Sequence, residues 1–95
     1  MLKELKERVC RANLELPKYG LVVLTWGNVS ALSEDGCYAV IKPSGVSYDE
    51  MRPEHMVVTD LSGTVVEGDL RPSTDMLTHL ELYRRFPQIG GVVHT

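Results

Sequence analysis

At 95 residues the chain suits one compact domain, and its 43% apolar and 24% charged residues exclude disorder as the default state. A net charge of −3 leaves no basic surplus to neutralise a nucleic-acid backbone. No apolar run approaches the ~20 residues of a membrane helix, and the charged start Met1–Arg8 lacks a hydrophobic signal segment, so a cytoplasmic location is the simplest reading.

Leu2, Leu5, Val9, Ala12 and Leu16 recur at steps of three and four, the apolar stripe of a first helix. Glu4 with Arg8 and Glu7 with Arg11 stand at the supportive i,i+4 spacing, and Pro17 is expected to end the helix. Leu21–Trp26 reads as a buried strand, interrupted at Gly27-Asn28 and resumed from Val29 to Leu32. Asp35-Gly36 centres a turn, and Cys37–Lys42 is the returning strand of a hairpin. Pro43-Ser44-Gly45 breaks that strand, and a polar connection follows to His55. Met56–Asp60 and Thr64–Glu67 form a second hairpin around Ser62-Gly63. A second helix is expected to start at Ser73-Thr74, bury Met76, Leu80 and Tyr83, and end with Arg84 and Arg85 before Pro87. Gly91–Thr95 begins a further strand whose pairing partner is expected to lie ahead, so the chain reads as part of a longer one. Cys10 and Cys37 are expected to be reduced, partly buried thiols without chemistry.

Three breaks share one chemistry: Gly27-Asn28, Ser44-Gly45 and Ser73-Thr74. Each joins small residues, which let a ligand approach the backbone, to a hydroxyl or carboxamide. Singly, each is an ordinary turn or helix cap. Brought together, with Lys42 adding charge, they would cradle a phosphate. Neither a Walker-type phosphate loop nor a dinucleotide-binding glycine loop occurs.

The histidines are His55, His79 and His94. Asp75 and His79 stand at i,i+4 and can share a metal. The plainer reading makes Asp75 a partner of the helix dipole and His79 a half-buried residue with a hydrogen-bond partner, and on the residues alone we adopt it. His94 closes a Gly-Gly-Val-Val strand, a usual place for a functional side chain to emerge, and a histidine two positions further on would share its face. His55 reads as solvated.

Five ordered blocks carry a resemblance: Leu24-Thr25-Trp26-Gly27-Asn28-Val29-Ser30; Val40-Ile41-Lys42-Pro43-Ser44-Gly45-Val46; Met56-Val57-Val58 with Val65-Val66-Glu67-Gly68; Arg71-Pro72-Ser73-Thr74-Asp75 with Thr78-His79; and Ile89-Gly90-Gly91-Val92-Val93-His94-Thr95. Over nearly the whole chain they resemble the class II aldolase/adducin N-terminal family, and most of all its L-ribulose-5-phosphate 4-epimerase branch. The resemblance implies a three-layer α/β/α sandwich with a largely antiparallel central sheet, of which residues 1–95 are the N-terminal half, cut after the first His of a His-x-His motif. It implies a sugar-phosphate pocket at Gly27, Asn28, Ser44, Gly45, Ser73 and Thr74 with Lys42 close by, and a Zn2+ site at Asp75 and His94. His79 matches a family position that is not a zinc ligand.

The remaining zinc ligands and the acid/base Asp and Tyr are expected past Thr95. The implied activity of the full-length protein, a homotetramer, is epimerisation at C4 of L-ribulose 5-phosphate by retro-aldol and aldol steps. Asp75, where the aldolase branch carries Glu, favours the epimerase, while Met76-Leu77 departs from the Thr-Pro of better-known epimerases. An aldolase or dehydratase on another ketose phosphate, and a non-catalytic module like the adducin head, are the alternatives.

Overall fold

The computed structural model describes the whole chain, Met1–Thr95. Helix α1 (Lys3–Lys18) buries Val9, Cys10, Asn13 and Leu16 along one stripe. Pro17 lies inside its last turn instead of ending it, and the N–H groups of Tyr19 and Gly20 close the helix on Glu15 O and Pro17 O. The pairs Glu4–Arg8 and Glu7–Arg11 do not form. Glu67 instead draws in the α-amino group at 3.1 Å and Lys6, tying the start of α1 to the far edge of the sheet.

Five strands follow: β1 (Asn28–Leu32), β2 (Tyr38–Ile41), β3 (Val57–Asp60), β4 (Val65–Glu67) and β5 (Gly91–His94). They form one antiparallel sheet in the order β4-β3-β2-β1-β5. Both predicted hairpins are present. Strand β5 stands at the edge of the sheet and has one partner behind it in sequence, β1: Val93 pairs with Val29 and Val92 with Ser30.

Strand alternation sorts the core into two layers. Val40 and Val58 face α1 and pack with Val9, Cys10, Tyr48, Met51 and Met56. Ala39 and Ile41 face the other way, onto Met76, Leu80 and Tyr83 of α2 (Met76–Arg85). The sheet is thus covered by one helix on each side, the expected three-layer α/β/α arrangement. No helix is long and apolar enough to cross a membrane.

Asn13 joins α1 to β1. Its side chain donates to Val9 O (2.8 Å) and Val29 O (3.0 Å) and accepts from Val29 N (2.8 Å). The β1–β2 ladder begins only at Ser30–Ile41, so this carboxamide serves both backbone groups of Val29 where no strand does.

Two element assignments also fail. Leu21–Trp26 is not a strand: Trp26 N donates to Val23 O in a turn, Leu24 adopts φ 54°, and Leu21, Val23, Leu24 and Trp26 are all exposed. Helix α2 begins after Asp75, not at Ser73-Thr74, which lie in the preceding turn, where Met76 N donates to Ser73 O. Of the two thiols, both expected to be partly buried, Cys10 is fully buried and Cys37 is exposed.

Candidate metal and anion site

The loop leading into β1 is held from behind. Lys42 follows β2 and is only 2% exposed; its Nζ donates to Thr25 O at 2.5 Å and to Tyr48 Oη at 3.2 Å. Tyr48 Oη in turn donates to Trp26 O (2.7 Å) and Gly27 O (3.0 Å), so two side chains engage three successive carbonyls. The ammonium also lies 4.3 Å from the Tyr48 ring centre. Burial pushes the Lys42 pKa down, and the Asp75 carboxylate works against that. Lys42, expected at the cradle, therefore spends its hydrogen bonds on the loop and offers the site its charge through space. At Gly27 φ is +83° and an added Cβ would lie 2.2 Å from Val22 Cγ1, so both backbone and space demand glycine there.

Asn28 is the first residue past this clamp and is 2% exposed. Its Nδ2 donates to Ser73 Oγ at 3.0 Å and to Asp75 Oδ2 at 2.7 Å. The same Asp75 oxygen lies 3.0 Å from His94 Nδ1, across the β1–β5 pair in which Asn28 stands opposite His94. Residues from β1, the turn before α2 and the end of β5 thus meet at one carboxylate. The Asn28 hydrogen bond, and after it the charge of His94, hold the Asp75 carboxyl below the usual range.

The other two breaks lie alongside. Ser44 N donates to Arg71 O (2.9 Å), Ser73 N donates to Lys42 O (3.0 Å), and Pro43 bridges Pro72, so the segments run antiparallel. Ser73 is buried while Ser44, Gly45 and Thr74 are exposed, leaving hydroxyls and backbone at the surface next to a buried carboxamide.

Behind Asn28 the α2 face of β1 is polar. His79 is fully buried, not half-buried, with Nε2 2.5 Å from Asn28 Oδ1 and Nδ1 2.6 Å from Ser30 Oγ, which lies 2.6 Å from Tyr83 Oη. Burial lowers the His79 pKa to about 4, so the ring is neutral at pH 7. Both ring nitrogens are engaged, which leaves neither free for a metal. His55 accepts from Arg52 N at 3.0 Å and has no link to the site.

Asp75 and His94 supply one carboxylate and one imidazole, and the chain forms no group of three or more metal-binding side chains. Two ligand atoms on zinc bonds of ~2.0–2.2 Å at a tetrahedral angle stand roughly 3.3–3.6 Å apart, so a small separation of this pair admits the ion. The two residues fit two of its four places. Sequence reasoning missed Tyr48, Ser30 and Asn13. Nothing in their spacing marks them, because each acts through a partner distant in sequence.

The model of the class II aldolase and adducin N-terminal domain matches residues 7–95. An L-fuculose 1-phosphate aldolase structure superposes with a TM-score of 0.90 at 29% identity, covering 97% of this chain and 43% of that one. YgbL from Escherichia coli, a candidate aldolase/epimerase/decarboxylase, gives 0.86 at 30%, covering 97% and 44%. L-fuculose-1-phosphate aldolase from Thermus thermophilus gives 0.75 at 30%, covering 99% and 47%. The chain thus spans less than half the length of each of these structures. Sequence blocks, layer order and superposition agree, and the chain belongs to the class II aldolase and adducin N-terminal family.

Proposed function

We propose that this chain is the N-terminal part of a class II aldolase-like domain and that the full-length protein, a cytoplasmic homotetramer, acts on a sugar phosphate. The reaction is epimerisation at C4 of L-ribulose 5-phosphate to D-xylulose 5-phosphate. The observation that carries this reading is the Asp75 carboxylate, fixed by Asn28 and facing His94 beside the Ser44 and Ser73 turns.

Asp75 and His94 would hold Zn2+, with the remaining ligands and the acid/base groups supplied by sequence outside residues 1–95. When bound, the ion supplies Lewis-acid stabilisation of negative charge developing on substrate oxygen. The Asn28 carboxamide, the Ser44 and Ser73 hydroxyls and the backbone at Gly27, Gly45 and Thr74 bind the phosphate, and Lys42 adds its charge from behind the loop. Loss of the C4 hydroxyl proton cleaves C3–C4, giving glycolaldehyde phosphate and the enediolate of dihydroxyacetone. Rotation of the aldehyde and re-addition to its other face, with return of the proton, invert C4. The phosphate contacts retain the aldehyde fragment between the two steps.

A second reading is favoured by the structures named as fuculose-phosphate aldolases: cleavage without re-addition, on another ketose phosphate. Incubating the full-length protein and zinc with a panel of ketose phosphates that includes L-ribulose 5-phosphate separates the two. Formation of the C4 epimer without free aldehyde is the expected result. Aldehyde release without the epimer would establish the aldolase. A non-catalytic module of the adducin-head kind would give neither product and bind no stoichiometric zinc.

A further inference from the structure

The buried polar chain behind the site has only one consistent set of hydrogen-bond directions, and that set gives His79 a role. Asn28 faces the Asp75 carboxylate at 2.7 Å and His79 Nε2 at 2.5 Å with opposite ends of its carboxamide. An ionised carboxylate only accepts, so the end of Asn28 facing it is the NH2 group. The carbonyl end therefore faces His79, and Nε2 carries the ring proton. In a neutral ring Nδ1 must then accept, so the Ser30 hydroxyl donates to it and Ser30 Oγ accepts from Tyr83. The directions run without conflict from Tyr83 through Ser30, His79 and Asn28 to Asp75.

The opposite set fails at a definite place. With the proton on Nδ1, His79 Nε2 would be a bare acceptor, the Asn28 amide would have to turn over, and its carbonyl would meet the Asp75 carboxylate. Two acceptors at 2.7 Å with no proton between them repel.

We propose that His79, as the Nε2–H tautomer, is a positioning residue that fixes the Asn28 carboxamide with its NH2 group toward Asp75 and Ser73. Its two N–H groups then hold the Ser73 oxygen and the Asp75 carboxylate in place, and no carbonyl is turned toward the site. His79 reaches neither substrate nor metal and acts only through Asn28. The assignment rests on donors and acceptors and holds whichever carbon–carbon reaction the protein performs.

Long-range 1H–15N correlation of the chain labelled with 15N-histidine reads the tautomer directly. Protonated Nε2 with bare Nδ1 at neutral pH is expected; Nδ1–H, or both nitrogens protonated, would overturn the proposal. Two variants add a functional arm. His79→Gln places a donor near the former Nε2, while His79→Asn keeps a group only near the former Nδ1. Hydrogen exchange of the Asn28 side-chain amide should stay close to wild type in His79→Gln and accelerate by about tenfold or more in His79→Asn. Equal behaviour of the two variants, whether both protected or both exposed, would mean that His79 is only a packing residue. If neither variant folds, the tautomer of the unmodified chain decides.

Discussion

Replacing Tyr48 by Phe removes one oxygen and keeps the ring that packs among Val9, Met51 and Met56. The lost hydroxyl donates to Trp26 O and Gly27 O and accepts from Lys42. The shared hydrogen bond to the two carbonyls is worth about 1 kcal/mol net, and the bond from a charged donor about 1.5–3 kcal/mol. Lys42 keeps Thr25 O as acceptor, which recovers part of the second figure. The expected cost is therefore about 2 kcal/mol. In a domain of this size that lowers the melting temperature by roughly 8–16 °C. Thermal unfolding followed by circular dichroism measures it.

Lys42→Met breaks the same clamp from its other end, so the double variant should fall short of the summed single effects by at least ~0.5 kcal/mol. A Tyr48→Phe chain within about 0.5 kcal/mol of wild type would refute the clamp, since ordinary surface changes are no larger. Full additivity with Lys42→Met would refute it too.

Asn13→Ala strands both backbone groups of Val29 and should cost about 3 kcal/mol or more, out of a total of roughly 5–14 kcal/mol for a chain of this length. Urea unfolding reads that loss, and a change below about 1 kcal/mol would show that the strand satisfies Val29 without Asn13. Thr59 Oγ1 is buried with no partner, so Thr59→Val should be neutral or stabilising by up to about 1 kcal/mol in the same assay; a clear loss would reveal a partner for the hydroxyl. The unfolded chain protonates His79 near its ordinary 6.5, whereas the folded chain holds the ring neutral down to about 4. Stability present above that window is thus lost as pH falls through it, by about 3 kcal/mol from this residue. Urea midpoints across the window should drop accordingly and flatten in His79→Gln; an equal slope in that variant would place the titrating group elsewhere. The depressed Asp75 carboxyl adds a further loss at lower pH, as the folded carboxylate is finally protonated.

The elements set by local chemistry were legible in the sequence. Both hairpins follow from turn residues between β-branched runs, and both helices from apolar residues three and four apart. Leu21–Trp26 misled because its composition is that of a strand, while its backbone is set by Lys42 and Tyr48 taking the carbonyls of Thr25, Trp26 and Gly27. The start of α2 was misplaced by two to three residues because Ser73 and Thr74 resemble caps. In fact Ser73 Oγ accepts from Asn28 and from Asp75 N, stabilising the turn before the helix.

At the site, Asn28, Ser73, Asp75 and His94 could be picked out by residue type and motif, and the fold brings them into contact. The supports could not be picked out. Asn13, Ser30 and Tyr48 are common residues whose roles exist only once β1 lies between α1 and α2. The departure of Lys42 from the cradle likewise depends on Tyr48 and the loop carbonyls, which no spacing announces.

The direct test of the metal site is a zinc titration of the full-length protein beside its Asp75→Asn and His94→Asn variants, followed by calorimetry. Both residues as ligands predict one zinc per subunit in the parent and affinity lower by about tenfold or more in each variant. Undiminished zinc binding in both variants would contradict the site.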